Sequence, residues 1–111
     1  MDYSIFHLVS AATTNATSVK ASAGDLHGYH IYNNSSQARK VAFHNTAGTP
    51  TAGASVLFSL VIPPDGVAIM EAGKGQIPFS TGIGITTTRG MADNDTEAVE
   101  LNDLVINLLY T

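Results

Sequence analysis

The sequence predicts an all-β fold: one domain spanning residues 1–111, built as an antiparallel β-sandwich of jelly-roll type, with about eight strands and at most one short helical turn. Three observations predict it. Short apolar or alternating runs are separated by clusters of Gly, Pro, Asn and Asp, the pattern of strands joined by turns. The 3.6-residue periodicity of an amphipathic helix is nearly absent. The 111 residues, 44% of them hydrophobic, suffice for one core and leave no room for a second.

Strands are expected at Ser4–Val9, Ser18–Ser22, Leu26–Asn33, Ala38–Asn45, Ser55–Ile62, Val67–Ala72, Gly82–Thr87 and Leu104–Tyr110. Ala23-Gly24-Asp25 can turn through positive φ, and Asn33-Asn34-Ser35-Ser36 offers side chains that bond their own backbone in place of ladder partners. That second turn predicts a hairpin between Leu26–Asn33 and Ala38–Asn45. Thr46 to Ala54, with Gly48, Pro50 and Gly53, reads as a loop. Pro63-Pro64-Asp65-Gly66 ends one strand and begins another, because proline has no amide hydrogen to give to a ladder, and it predicts another hairpin. Asp93 to Asn102 is the one helical candidate, with Asn94 or Asp95 capping a single turn and Glu97 near its positive end. No glycine period or repeat is visible.

Side chains alternate along a strand, so each face must meet core or solvent. Val56, Phe58, Leu60 and Ile62 make one apolar face, yet the opposite face of Leu57, Ser59 and Val61 is also largely apolar. The last strand repeats this, with Leu104, Ile106, Leu108 and Tyr110 set against Val105, Asn107 and Leu109. Two strands apolar on both sides imply a second covering, either a neighbouring subunit or loops of the same chain.

Charge is scarce: 13% of residues are Asp, Glu, Lys or Arg, against about 25% in an ordinary soluble domain. A surface of small neutral residues resists repulsion between copies, so the composition favours a homo-oligomer. Net charge is −4 and the five basic residues, Lys20, Arg39, Lys40, Lys74 and Arg89, are scattered. No basic stripe exists to neutralise phosphates, so nucleic acid is not an expected partner. The chain has no cysteine, which removes disulfides and thiolate chemistry. No run approaches 18 apolar residues and the first ten do not read as a secretory leader, so no membrane partner is expected and the chain is expected to fold in a cytoplasm. Its four sequons, at Asn15, Asn33, Asn34 and Asn94, then read as chance products of an Asn/Ser/Thr-rich composition.

Reactive chemistry finds little purchase. His7, His27, His30 and His44 are spread over three expected strands, and the spacing of His27 and His30 sets them on opposite faces of one strand, so no joint metal site is expected. No G-x-S-x-G elbow precedes a helix. Asp93-Asn94-Asp95-Thr96-Glu97 resembles a hard-cation loop, but Ala98 stands where an EF-hand needs glycine and Leu104 where it needs glutamate. Gly73-Lys74-Gly75 and Gly82-Ile83-Gly84 lack the rest of a phosphate loop and read as turn or bulge glycines. Tyr29, Tyr32, Phe43 and Phe58 would serve a sugar-stacking platform only at a surface, whereas their place in strand interiors points to core packing. The sequence therefore singles out no catalytic, cofactor-binding or metal residue, and the expectation is a binding protein and not an enzyme.

Three stretches carry a resemblance. Tyr32-Asn33-Asn34 followed by Ala38-Arg39-Lys40-Val41-Ala42-Phe43-His44-Asn45, then Pro78-Phe79-Ser80-Thr81-Gly82-Ile83, then Ala92-Asp93-Asn94-Asp95-Thr96 with Leu104-Val105-Ile106-Asn107-Leu108-Leu109-Tyr110, look like a family of small proteins of tailed phages and prophages. The similarity runs from about Thr14 onward, and its motifs are turns and strands without a reactive group. The resemblance implies a virion structural protein, most simply a trimeric capsid decoration (cement) protein. Such a protein is assembled in the host cytoplasm, binds the major capsid protein on the outer shell and bridges its subunits. A tail, fibre or adaptor component and a carbohydrate-binding module are the alternatives. On the decoration reading, Met1 to Val19 and the loops Thr46–Ala54 and Gly90–Asn102 are the candidate contact segments.

Overall fold

The computed structural model describes residues 2–111; Met1, the first residue of the candidate contact segment, lies outside the described residues. Nine strands are present: β1 (Ser4–Val9), β2 (Thr17–Lys20), β3 (Gly24–Asn33), β4 (Arg39–Asn45), β5 (Phe58–Ile62), β6 (Val67–Met70), β7 (Ile77–Phe79), β8 (Ile83–Thr88) and β9 (Leu104–Tyr110). They form two antiparallel sheets. The first has the order β1-β9-β3-β6, with β7 beside the start of β3; the second has the order β2-β8-β4-β5. The bonded pairs β1·β9, β2·β8, β3·β6 and β4·β5 are nested in sequence, as if one long hairpin had been rolled up. That is the jelly roll the sequence predicts, with β7 as an added ninth strand.

The two hairpins expected from turn chemistry are not hairpins. β3 and β4 lie in different sheets, as do β5 and β6, so Asn34–Ala38 and Pro63–Gly66 carry the chain across the sandwich. Asn33 explains why, because its buried side chain ties both crossings together. Its Nδ2 donates to the carbonyls of Gln37 (2.8 Å), Ile62 (3.1 Å) and Pro63 (3.1 Å), and its Oδ1 accepts from the Ser35 amide at 2.9 Å. The Asn33 amide bonds Gly66 O, and the Asp65 amide bonds Ser35 O, so the crossings satisfy one another. The hairpin that does form joins β4 to β5 through the loop 46–57.

Other details differ as well. β7 was not expected; it is three residues long and holds Pro78, which a sheet edge tolerates. β5 starts at Phe58, three residues later than the apolar run, and β3 begins two residues earlier, at Gly24. Between Asp93 and Asn102 there is no helical turn. Asp95 Oδ2 accepts from the amides of Gly90 and Glu97, tying the segment back to the residues just after β8. The Arg89 amide bonds Glu97 O and Val99 is buried, which pins the segment against the sandwich, with single turns closed by Asp95 N–Ala92 O and Asp103 N–Glu100 O.

The core lies between the sheets. Leu26 and Ile31 of β3 and Leu104, Ile106 and Leu108 of β9 meet Val41, Phe43, Ile62, Ile83 and Ile85 of the second sheet. Phe43 and Phe58 stack at 4.6 Å between centroids, and Phe79 tilts against both. At one end a buried ion pair closes the sandwich: Arg39 Nε donates to Asp103 Oδ2 at 2.8 Å, with side chains 8% and 9% exposed.

Candidate interaction surface

The two outer faces of the sandwich are treated oppositely by the chain itself. On the second sheet, the outward side chains Lys40, His44, Thr86 and Thr88 are buried. Two loops roof them. Lys40 Nζ donates to Ala92 O and Thr88 Oγ1 to Gly90 O, holding the segment 89–102. The loop 46–57 packs over His44, and the loops meet where Gly53, at φ +84°, presses on Asn94 and Thr96. A Cβ at Gly53 would stand 2.8 Å from Thr96 Cγ2 and 2.9 Å from Asn94 O, so the contact needs glycine. Two of the three expected contact segments thus turn their inner sides to their own sheet.

His44 is the titratable group under this roof. One ring nitrogen, Nε2, lies 2.8 Å from Thr86 Oγ1. Burial holds its pKa below the usual 6.5, and Lys40 on the same strand face adds to that, while the Ser55 and Ala54 backbone favours the charged form less strongly. A lowered folded-state pKa means the unfolded chain takes the proton first as pH falls below 6.5. Stability from this group is therefore complete above that pH and declines below it, down to the folded-state value. The slope it contributes is at most about 1.4 kcal/mol per pH unit. Urea titrations of the wild type and His44→Gln at pH 7.5 and 5 check this: the loss on acidification is expected to be smaller in the variant, and equal losses would refute it.

The first sheet has no such roof. Strand register sets its outward side chains in rows: Val9, Val105, Tyr32 and Val67 across β1, β9, β3 and β6, then His7, Asn107, His30 and Ile69, then Ile5, Leu109 and Gly28. None of them is Asp, Glu, Lys or Arg. Ile5 is 71% exposed, Ile69 57%, Val67 48% and Val9 44%. The polar centre is internally bonded: His7 Nδ1 donates to Asn107 Oδ1 at 2.7 Å, and Asn107 Nδ2 donates to His30 O at 3.2 Å. Four strands about 4.8 Å apart and three rows about 7 Å apart give roughly 400 Å² in plan. An exposed face of that size, apolar in most of its positions around a self-bonded polar centre, often marks a contact site on a single chain.

The residues singled out from sequence fall as follows. Val105 and Leu109 lie half-buried on this open face, and Leu57, just before β5, and Val61, within it, are exposed at the edge of the second sheet. A bulge in β3 between Leu26 and Gly28 corrects the reading of the histidines: the extra residue puts His27 on the same face as His30. His27 is nevertheless buried, against the Tyr3 ring at 5.0 Å and Thr111 Oγ1 at 2.8 Å. Phe43, Phe58 and Tyr29 point into the core and only Tyr32 points out, so the four form no surface platform. Among the described residues no three His, Asp or Glu side chains converge as a metal site. Ile5 and His7 fall within the expected contact segment Met1 to Val19, but Ile69, Val67 and the His7–Asn107–His30 row as a unit were not singled out from sequence. Alternation in β1 and β6 carries the signal, but only the register of four strands makes it one face. Comparison with protein-family models, with curated proteins and with solved structures finds no match to this chain.

Proposed function

We propose that the chain is a virion structural protein, a capsid decoration (cement) protein that binds the outer shell and bridges major capsid protein subunits. The open face of the first sheet is the shell-binding surface in this reading, and copies of the chain associate with one another. The carrying observation is the asymmetry of cover: the fold spends two loops roofing one sheet and leaves three rows of the other bare, mostly apolar and without formal charge. Burial of such a face gains about 25 cal/mol per Å² of apolar area removed from water, with no ion to desolvate. The virion setting rests on the resemblance of Tyr32–Asn34 with Ala38–Asn45, of Pro78–Ile83, and of Ala92–Thr96 with Leu104–Tyr110 to small tailed-phage proteins.

Co-sedimentation with empty phage shells tests the proposal. The wild type is expected to pellet with shells in stoichiometric amounts, and Ile69→Lys, which puts a charge in the middle of the face, to bind at least tenfold more weakly. A wild type that stays in the supernatant, or a variant that binds equally well, would overturn it.

A further inference from the structure

The outer strand of the open sheet, β1, has properties that select its occupant. Alternate residues of an edge strand direct N–H and C=O groups away from their single neighbour, and another strand satisfies them most completely. Edges are normally guarded by charge, proline, a bulge or shortness. The other edges of this sandwich carry such guards. β2 has four residues, a register shift between Ser18 and Lys20, and the Lys20 charge. β6 has four residues, β7 has three with Pro78, and β5 runs into Pro63-Pro64 with Asp93 bonded to its Ser59 hydroxyl. β1 has none of them. Its six residues, Ser-Ile-Phe-His-Leu-Val, hold an unbroken register with β9 and contain neither charge nor proline.

We infer that β1 pairs antiparallel with β1 of a second copy of this chain, joining the two first sheets edge to edge about a two-fold axis. The inference rests on the assembly reading above and says how copies meet. Facing residues in an antiparallel pair share a side of the sheet, so residues of like parity must oppose each other. The register centred on His7 meets that condition. It sets Ile5 beside Val9 of the second copy on the outer face and Phe6 beside Leu8 on the inner one, covering both exposed apolar side chains of β1. The two open faces then become one continuous eight-stranded surface, roughly 800 Å² in plan. That matches the area one partner contributes to a stable interface, about 800 Å². The absence of formal charge on either side lets identical strands approach without repulsion.

The chain lacks cysteine, so one introduced thiol reports the register directly. Analytical ultracentrifugation of the wild type is expected to give twice 11.6 kDa. Ile5→Lys is expected to raise the dimer dissociation constant at least tenfold with an unchanged far-UV spectrum, whereas Ile69→Lys on distant β6 leaves it unchanged. His7→Cys is expected to oxidise to a linked dimer at least tenfold faster than Ile69→Cys. A three-copy mass, or equal oxidation rates of the two thiols, overturns the edge pairing while shell binding by the open face still stands. A single-copy mass at every concentration overturns self-association altogether. Loss of shell binding by Ile69→Lys with dimers intact supports both readings.

Discussion

Replacing Asp103 with alanine is expected to lower unfolding free energy by about 3–5 kcal/mol, the range for removing one member of a buried ion pair. In the wild type, Asp103 Oδ2 accepts from Arg39 Nε at 2.8 Å and from the Glu100 amide at 2.9 Å. Once the carboxylate is gone, the guanidinium stays buried with the Ala38 carbonyl at 3.0 Å as its remaining partner, and the Glu100 amide loses its acceptor. The cost is thus chiefly that of an uncompensated charge. Urea denaturation should show a lower midpoint with an unchanged slope. The double variant Arg39→Met, Asp103→Leu should recover most of the loss, because neither charge then needs solvating. A single-variant loss under 1 kcal/mol would mean that water reaches the pair.

The second large effect is expected at Asn33, where alanine removes every side-chain bond between the two crossings. Three buried or half-buried carbonyls and one buried amide lose a partner. At about 1–3 kcal/mol for each buried group left unsatisfied, a loss of about 3 kcal/mol is a conservative expectation. Asn33→Asp should be worse than Asn33→Ala, since a carboxylate would face three carbonyl oxygens with no hydrogen to offer them. Hydrogen exchange locates the effect: amides of Asn34, Ser35, Asp65 and Gly66 are expected to lose protection before those of β9. Uniform loss across the domain would show that the crossings are not a local unit.

These two residues also mark the boundary of what can be read without coordinates. Strand positions were legible because apolar alternation is imposed by the sheet itself, and all eight expected strands keep at least one end to within a residue. Pairing was not legible at Asn33–Ala38 or Pro63–Gly66. Turn residues say that a chain reverses, and whether it returns to its own sheet or crosses depends on partners such as Asn33 and Ile62, 29 residues apart. β7 is too short for alternation to register, and the bulge at His27 shifts parity by one without any composition signal. The two-sided apolarity of β9 was visible, but what covers each sheet was not. Lys40, His44, Thr86 and Thr88 look like a wet face in sequence and are dry because loops without sequence periodicity lie over them.

The nesting of the strands has a consequence for synthesis. His7 and its partner Asn107 are 100 residues apart, because the first strand of the roll pairs with the last. At about 5–20 residues per second, the ribosome leaves β1 without its intramolecular neighbour for roughly 5–20 s in every round of translation. Throughout that interval Ser4–Val9 is an uncharged ribbon made well before its neighbour β9, so neighbouring nascent chains on one message meet through the very segment that the finished fold leaves half open.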